Sequence, residues 1–131
     1  MILDTVFLID ILRGKKIEAK AKASELDEKF SIKGISSISV MELWKGAVLS
    51  VKIDKEKKKV NELLDSLIIY PFGEIEAKKS GEIEANLVKK GKFIDVEDIM
   101  IASTALIRNE KILTKNVRHF EDFDGLDIES Y

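Results

Sequence analysis

The chain has 131 residues, with 24 Asp and Glu against 22 Lys and Arg, one His, one Pro and no Cys. Without cysteine there is no disulfide, no thiolate metal site and no Cys nucleophile, and the single His119 excludes a multi-histidine zinc centre. A net charge of −2 excludes a global basic field for nucleic acid, so such a partner needs a local cationic patch, and hydrolytic chemistry falls to carboxylates.

The length fits one domain spanning residues 1–131. The first ten residues are apolar but include Asp4 and Asp10 and lack a basic leader and a small-residue cleavage site. They predict neither a signal peptide nor a membrane span, and a soluble, cytoplasmic chain is expected. M-I-L-D at 1–4 reads as a strand ending in an acid, and helical spacing from Val6 runs to Gly14, a C-terminal stop. A second, more exposed helix is expected over 15–29, with Ile17, Ala21 and Leu26 inward. A strand at 32–38 leads into a helix opened by Ser39. Asp54 caps a further helix over 54–66, and 67–70 reads as a buried strand closed by Pro71. The 74–90 segment is a helix with Ile75, Ile83, Leu87 and Val88 inward. Asp95 opens a helix apolar nearly all round, hence central. Lys111–Thr114 is a strand, 116–123 a short helix and 126–130 a terminal strand. This alternation predicts an α/β fold, a three-layer α/β/α sandwich around a mainly parallel sheet of four to five strands. In such sheets ligands sit beyond the carboxyl ends of the strands.

Asp4, Glu42, Asp98 and Asn116 all stand just after strands or in the first turns that follow them. Each has a local explanation. Ser39 and Glu42 match a capping box, Asp95 and Asp98 an N-cap and a dipole-favoured acid, and Asp4, Thr114 or Asn116 a cap. Capping does not require that caps from different helices converge, however. Two carboxylates about 4 Å apart repel by roughly 4 kcal/mol at an effective dielectric near 20, so clustered acids need a neutralising partner. An all-oxygen set favours Mg²⁺, with Mn²⁺ as a substitute, and metal-assisted phosphodiester hydrolysis.

The segments M-I-L-D-T-V-F-L-I-D-I-L-R-G, S-I-S-V-M-E-L-W-K-G-A, D-I-M-I-A-S-T-A and I-L-T-K-N-V-R-H-F-E-D-F-D-G-L resemble the PIN-domain ribonucleases, and among them the VapC toxins of prokaryotic toxin–antitoxin pairs. The resemblance spans the chain in the family's motif order. It implies an Mg²⁺-dependent endoribonuclease with Asp4 and Asp98 as principal ligands and Glu42 as third acid. Asn116 takes the fourth polar position, with Thr114 and Thr5 in support. It also implies an RNA substrate, a homodimer, and silencing by a VapB-type antitoxin. One departure is Val6, where the family usually has Asn or Ser. Its loss of a hydrogen bond near Asp4 leaves a PIN-fold module that binds RNA or a partner without cutting as the alternative.

Lys45, Lys115 and Arg118 are the candidates for RNA phosphates, whereas Lys55–Lys59 reads as a solvated face. Asp10 and Arg13, three apart, predict a helical ion pair. His119 is expected to be structural, with phosphate contact or acid–base chemistry as the alternative, and Asp95 an N-cap in preference to a ligand, while Trp44 fits core, dimer interface or antitoxin groove. A phosphatase of the haloacid-dehalogenase type is disfavoured by Val6 in place of a second Asp. A receiver domain is disfavoured because Tyr70-Pro71 ends the third strand.

Overall fold

The computed structural model describes residues 1–131. Five short strands, β1 (Ile2–Leu3), β2 (Gly34–Ser36), β3 (Ile68–Tyr70), β4 (Ile112–Leu113) and β5 (Ile128–Glu129), form one sheet in the order β3-β2-β1-β4-β5. Every pairing is parallel, with Ile2 opposite Gly34 and Ile112, and Leu3 opposite Leu113. Parallel pairing demands crossovers, and seven helices supply them: α1 (Thr5–Arg13), α2 (Ile17–Glu28), α3 (Ser37–Val48), α4 (Ile53–Leu64), α5 (Glu74–Lys89), α6 (Val96–Ile107) and α7 (Val117–Phe120).

The central strands are apolar because both of their faces are covered. Leu3, Ile35 and Leu113 pack with Phe7, Leu26, Leu43 and Val60 from α1–α4. Ile2 and Ile112, on the opposite face, pack with Leu87, Ile99, Ala102 and Phe120 from α5–α7. This strand alternation divides the interior into two cores and makes the fold a three-layer α/β/α sandwich.

Gly14 adopts a left-handed conformation (φ 66°) and closes α1 with its N–H on Asp10 O, as its position predicts. Other boundaries and faces differ from the expectation. Strand β2 ends at Ser36, which caps α3 by accepting from Ile38 N–H, so Ser39 lies inside the helix and is buried. The position before α4 is Lys52, and Asp54 falls in the first turn. The third strand is an edge strand with Ile68 and Ile69 exposed, because β2 covers only one of its sides. On α2, Ala19 and Leu26 turn inward while Ile17 is exposed. Helix α5 turns Glu76, Ser80 and Leu87 inward and leaves Ile75 and Val88 in solvent. Here specific polar contacts override hydrophobic spacing: Glu76 pairs with Arg108 at 3.0 Å, and Ser80 bonds Ser103 at 2.8 Å. No helix is long and apolar enough to cross a membrane.

Candidate active site

Asp4 leaves β1 at the centre of the sheet, where its main chain already bends into α1. Its N–H donates to Leu113 O at 3.0 Å, and its side chain makes no cap bond to the helix it precedes. Instead its Oδ2 accepts from Thr114 Oγ1 at 2.7 Å, and Thr114 Oγ1 in turn accepts from Asn116 N–H at 3.0 Å. Burial pushes Asp4 up from the usual carboxylate value to about 6. The Thr114 bond opposes that rise and the charge of Asp98 reinforces it.

Glu42 does not return to an N-cap. It reaches across to α1, where Thr5 Oγ1 donates to its Oε1 at 2.7 Å. Thr5 also lies 2.9 Å from Ser39 Oγ. One hydroxyl proton cannot serve both, so Thr5 donates to the acceptor-only carboxylate and accepts from Ser39. Burial raises the pKa of Glu42; Thr5 opposes this, and Asp4 and Glu97 add to it. Asp98, in the first turn of α6, is also raised, first by burial; His119 lowers it and Asp95 and Glu42 raise it. His119 Nδ1 stands 2.9 Å from Asp98 Oδ2.

Three acids from three elements thus lie within electrostatic reach of one another at the carboxyl ends of the strands. Each is held by a separate side chain: Thr114, Thr5 or His119. No three His, Asp or Glu side chains are gathered into a finished cation cage. Two clefts flank the group. One of about 310 Å³, between α1, α3 and α4, runs from Glu42 along Ile9, Leu12, Leu43 and Val60. The other, about 330 Å³, lies on the Asp98 side between Lys92, Phe93, Arg118 and Asp122.

Of the cations expected here, Lys45 stands close enough to lower Glu42, and Arg118 lines the Asp98 cleft. Lys115 is engaged otherwise, its ammonium 2.7 Å from Asp10 Oδ2. The expected Asp10–Arg13 pair is therefore replaced by one between Asp10 and Lys115, joined by Tyr131 OH at 2.9 Å. Chain-distant residues win because the sheet brings the turn after β4 and the C-terminus over α1. Asn116 occupies the N-cap position of α7, and Asp95 that of α6; neither side chain makes a cap bond. Trp44 packs against the α1–α4 core with the Lys57 ammonium 5.3 Å from its ring centroid.

His119, for which packing is the favoured expectation, has a half-exposed ring that meets Asp98. The adjacent Phe120 is the residue that fills the core. A one-turn helix places neighbouring residues on different faces, which is the signal that separates the two.

The PIN-domain family matches residues 1–126. The chain belongs to that family. Within it the chain is similar to the VapC ribonucleases. It is 30% identical over 129 residues to the Haemophilus influenzae ribonuclease VapC2, covering 98% of this chain and 96% of that one. It is also 32% identical over 116 residues to the tRNA(fMet)-specific endonuclease VapC of Salmonella typhimurium, covering 86% of this chain and 88% of that one. Its fold matches a chain of the Rickettsia felis VapBC2 complex bound to promoter DNA, with a TM-score of 0.90, 27% identity and coverage of 99% and 97%. In this chain Val6 is only half-buried in α1. The side-chain bond that orients Asp4 comes from Thr114 and does not depend on position 6.

Proposed function

We propose that this PIN-domain protein is an endonuclease that hydrolyses RNA phosphodiesters with a divalent cation, Mg²⁺ or its substitute Mn²⁺. We further propose that it is the toxin of a toxin–antitoxin pair, a homodimer silenced by a VapB-type antitoxin. The observation that carries the reading is the unneutralised charge of Asp4, Glu42 and Asp98. All three are pushed upward by burial and by one another, and the hydroxyls, the one imidazole and the Lys45 charge that answer them do not bring them back to the ordinary carboxylate range. An oxygen-preferring cation fits that donor set. Asp4 and Asp98 would hold it directly and Glu42 through water, with Asn116 at the same edge.

When bound, the ion supplies positive charge for the phosphate and acidifies water. The chain's own residues do the rest. Thr114 and Thr5 hold Asp4 and Glu42 in one orientation. Glu42 keeps Oε2 free of the Thr5 bond, available to take a proton from the attacking water. Lys45 and Arg118 steer phosphate toward an otherwise acidic edge, so binding weakens with salt.

Partner support comes from relatives: matched chains include those of the Salmonella typhimurium VapBC complex bound to DNA, at 30% identity and a TM-score of 0.90. The test is cleavage of a structured RNA panel with Mg²⁺, with EDTA, and by the Asp98→Asn variant. Cleavage in the first arm alone is expected, and equal cleavage in all three arms would overturn the metal mechanism. Retained RNA without cleavage in any arm would instead indicate a binding module. Co-purification of an inhibitory product of a neighbouring small reading frame checks the toxin assignment.

A further inference from the structure

Phe93 is 92% exposed and belongs to neither core. An aromatic ring in solvent calls for an explanation when the backbone holds it there, and here it does. Helix α5 ends with Gly91 left-handed (φ 69°), its N–H on Val88 O at 3.0 Å, and Lys92 N–H on Leu87 O at 2.9 Å. These two bonds form a Schellman closure that fixes the direction in which the chain leaves the helix. One residue after Phe93, Ile94 packs against the α5–α7 core. Phe93 is therefore presented between two anchored neighbours.

What it overlooks is the cleft on the Asp98 side, lined by Lys92, Phe93, Asp95, Asp98, Arg118 and His119, with Ile94 and Asp122 completing it. The charges there are not all free. Lys92 is 2.6 Å from Asp122, and His119 faces Asp98. Arg118 is exposed and has no ion-pair partner, while the charge of Asp95 acts on Asp98. Phe30 is as exposed as Phe93, but it precedes β2 and so lies at the opposite end of the sheet from the carboxylates.

The geometry points to a nucleotide subsite beside Asp98. Phe93 stacks one unpaired nucleobase of an RNA strand, and Arg118 contacts a phosphate of the same strand. The inference rests on the ribonuclease reading above and adds to it the two side chains that hold the strand next to the cut. An exposed aromatic face beside a free guanidinium is the pairing that single-stranded nucleic acid requires, since every base offers a π-face and every linkage a phosphate. The cleft's volume, about 330 Å³, is within the range of small-ligand pockets. A protein partner would also cover Phe93, but the unpaired Arg118 and the continuity with Asp98 favour the substrate.

The experiment compares wild type, Phe93→Ala and Phe93→Tyr with Mg²⁺ on a short unpaired RNA and on the same sequence held in a duplex. Binding of the unpaired RNA is measured separately by fluorescence anisotropy in the Asp4→Asn background, which leaves the cleft lining intact and is not required to cleave. Phe93→Ala should weaken binding about tenfold or more and raise KM more than it lowers kcat, with Phe93→Tyr restoring both. Its melting temperature should not move, because the ring is in solvent. Wild-type-like binding and KM for Phe93→Ala would overturn the subsite, as would equal losses in the Ala and Tyr variants. A Phe93→Ala variant impaired only in binding a co-purified antitoxin would reassign the ring to a protein interface and overturn it too. If wild type cleaves nothing, the ribonuclease reading fails, while the anisotropy arm still decides the subsite.

Discussion

Two aspartates, Asp4 just before α1 and Asp10 within its last turn, are almost equally buried, at 4% and 3% exposure, yet their chemistry diverges. Asp10 also suffers from burial, but Lys115 and Tyr131 more than offset it and hold its carboxyl below the usual range. Asp4 receives one hydroxyl and the repulsion of Asp98, and it rises to about 6. Burial does not distinguish an acid paired within the fold from a candidate ligand-binding one. The distinction lies in whether the fold supplies the counter-charge or leaves it to a ligand.

The contrast can be broken most strongly at Asp4. In the metal-free protein the folded chain holds a proton on Asp4 between the ordinary carboxylate value and about pH 6, where the unfolded chain has lost it. Stability therefore falls as pH rises through that window. Asp4→Asn should flatten the slope, leaving the smaller share of Glu42 and Asp98, abolish cleavage, and raise metal-free stability above pH 6 by up to about 3 kcal/mol. Urea unfolding at pH 5 and pH 8 measures it; an unchanged slope would mean that Asp4 is already neutralised.

Asp10 should behave in the opposite way. Its lowered pKa contributes stability that is present above the ordinary carboxylate value and is lost as pH falls through the folded one. Asp10→Asn should cost about 2 kcal/mol at neutral pH by removing the charge that Lys115 and Tyr131 answer. Denaturant midpoints would show this loss, and a stabilised variant would contradict the assignment. The smallest effect is expected at Thr114→Val, which strips Asp4 of its only side-chain donor and leaves Asn116 N–H without an acceptor. Mg²⁺ affinity by calorimetric titration should drop about tenfold. Unchanged affinity would show that Asp4 is oriented by other means.

Much of the placement of the candidate site was legible because it follows strand ends. Asp4 follows two apolar residues, and Thr114 and Asn116 follow two more, so a parallel sheet delivers them to one edge regardless of register. Glu42 was legible by position but not by partner. A capping box is a local pattern, and Ser36 outcompetes Ser39 as the cap only because the strand stops two residues earlier than its β-branched run suggests. The contact of His119 with Asp98 and the exposure of Phe93 were not legible, since exposure is decided by which face of a one-turn helix or a capped loop meets solvent. The exposed edge strand β3 escaped for a similar reason: an apolar run looks the same at an edge as in the middle of a sheet.

By itself the sequence determined the alternation of strands and helices, the exclusion of cysteine and multi-histidine chemistry, and the motif order shared with the VapC ribonucleases. These are properties of composition and of short spacing, which the chain carries wherever it folds. Only the tertiary structure decided which acids are answered. Lys115 and Tyr131 lie 105 and 121 residues from Asp10, and Thr114 lies 110 from Asp4. Hydrogen bonds and charges act over a few ångströms of space, so pairing across such separations is set by the parallel sheet and not by neighbours along the chain.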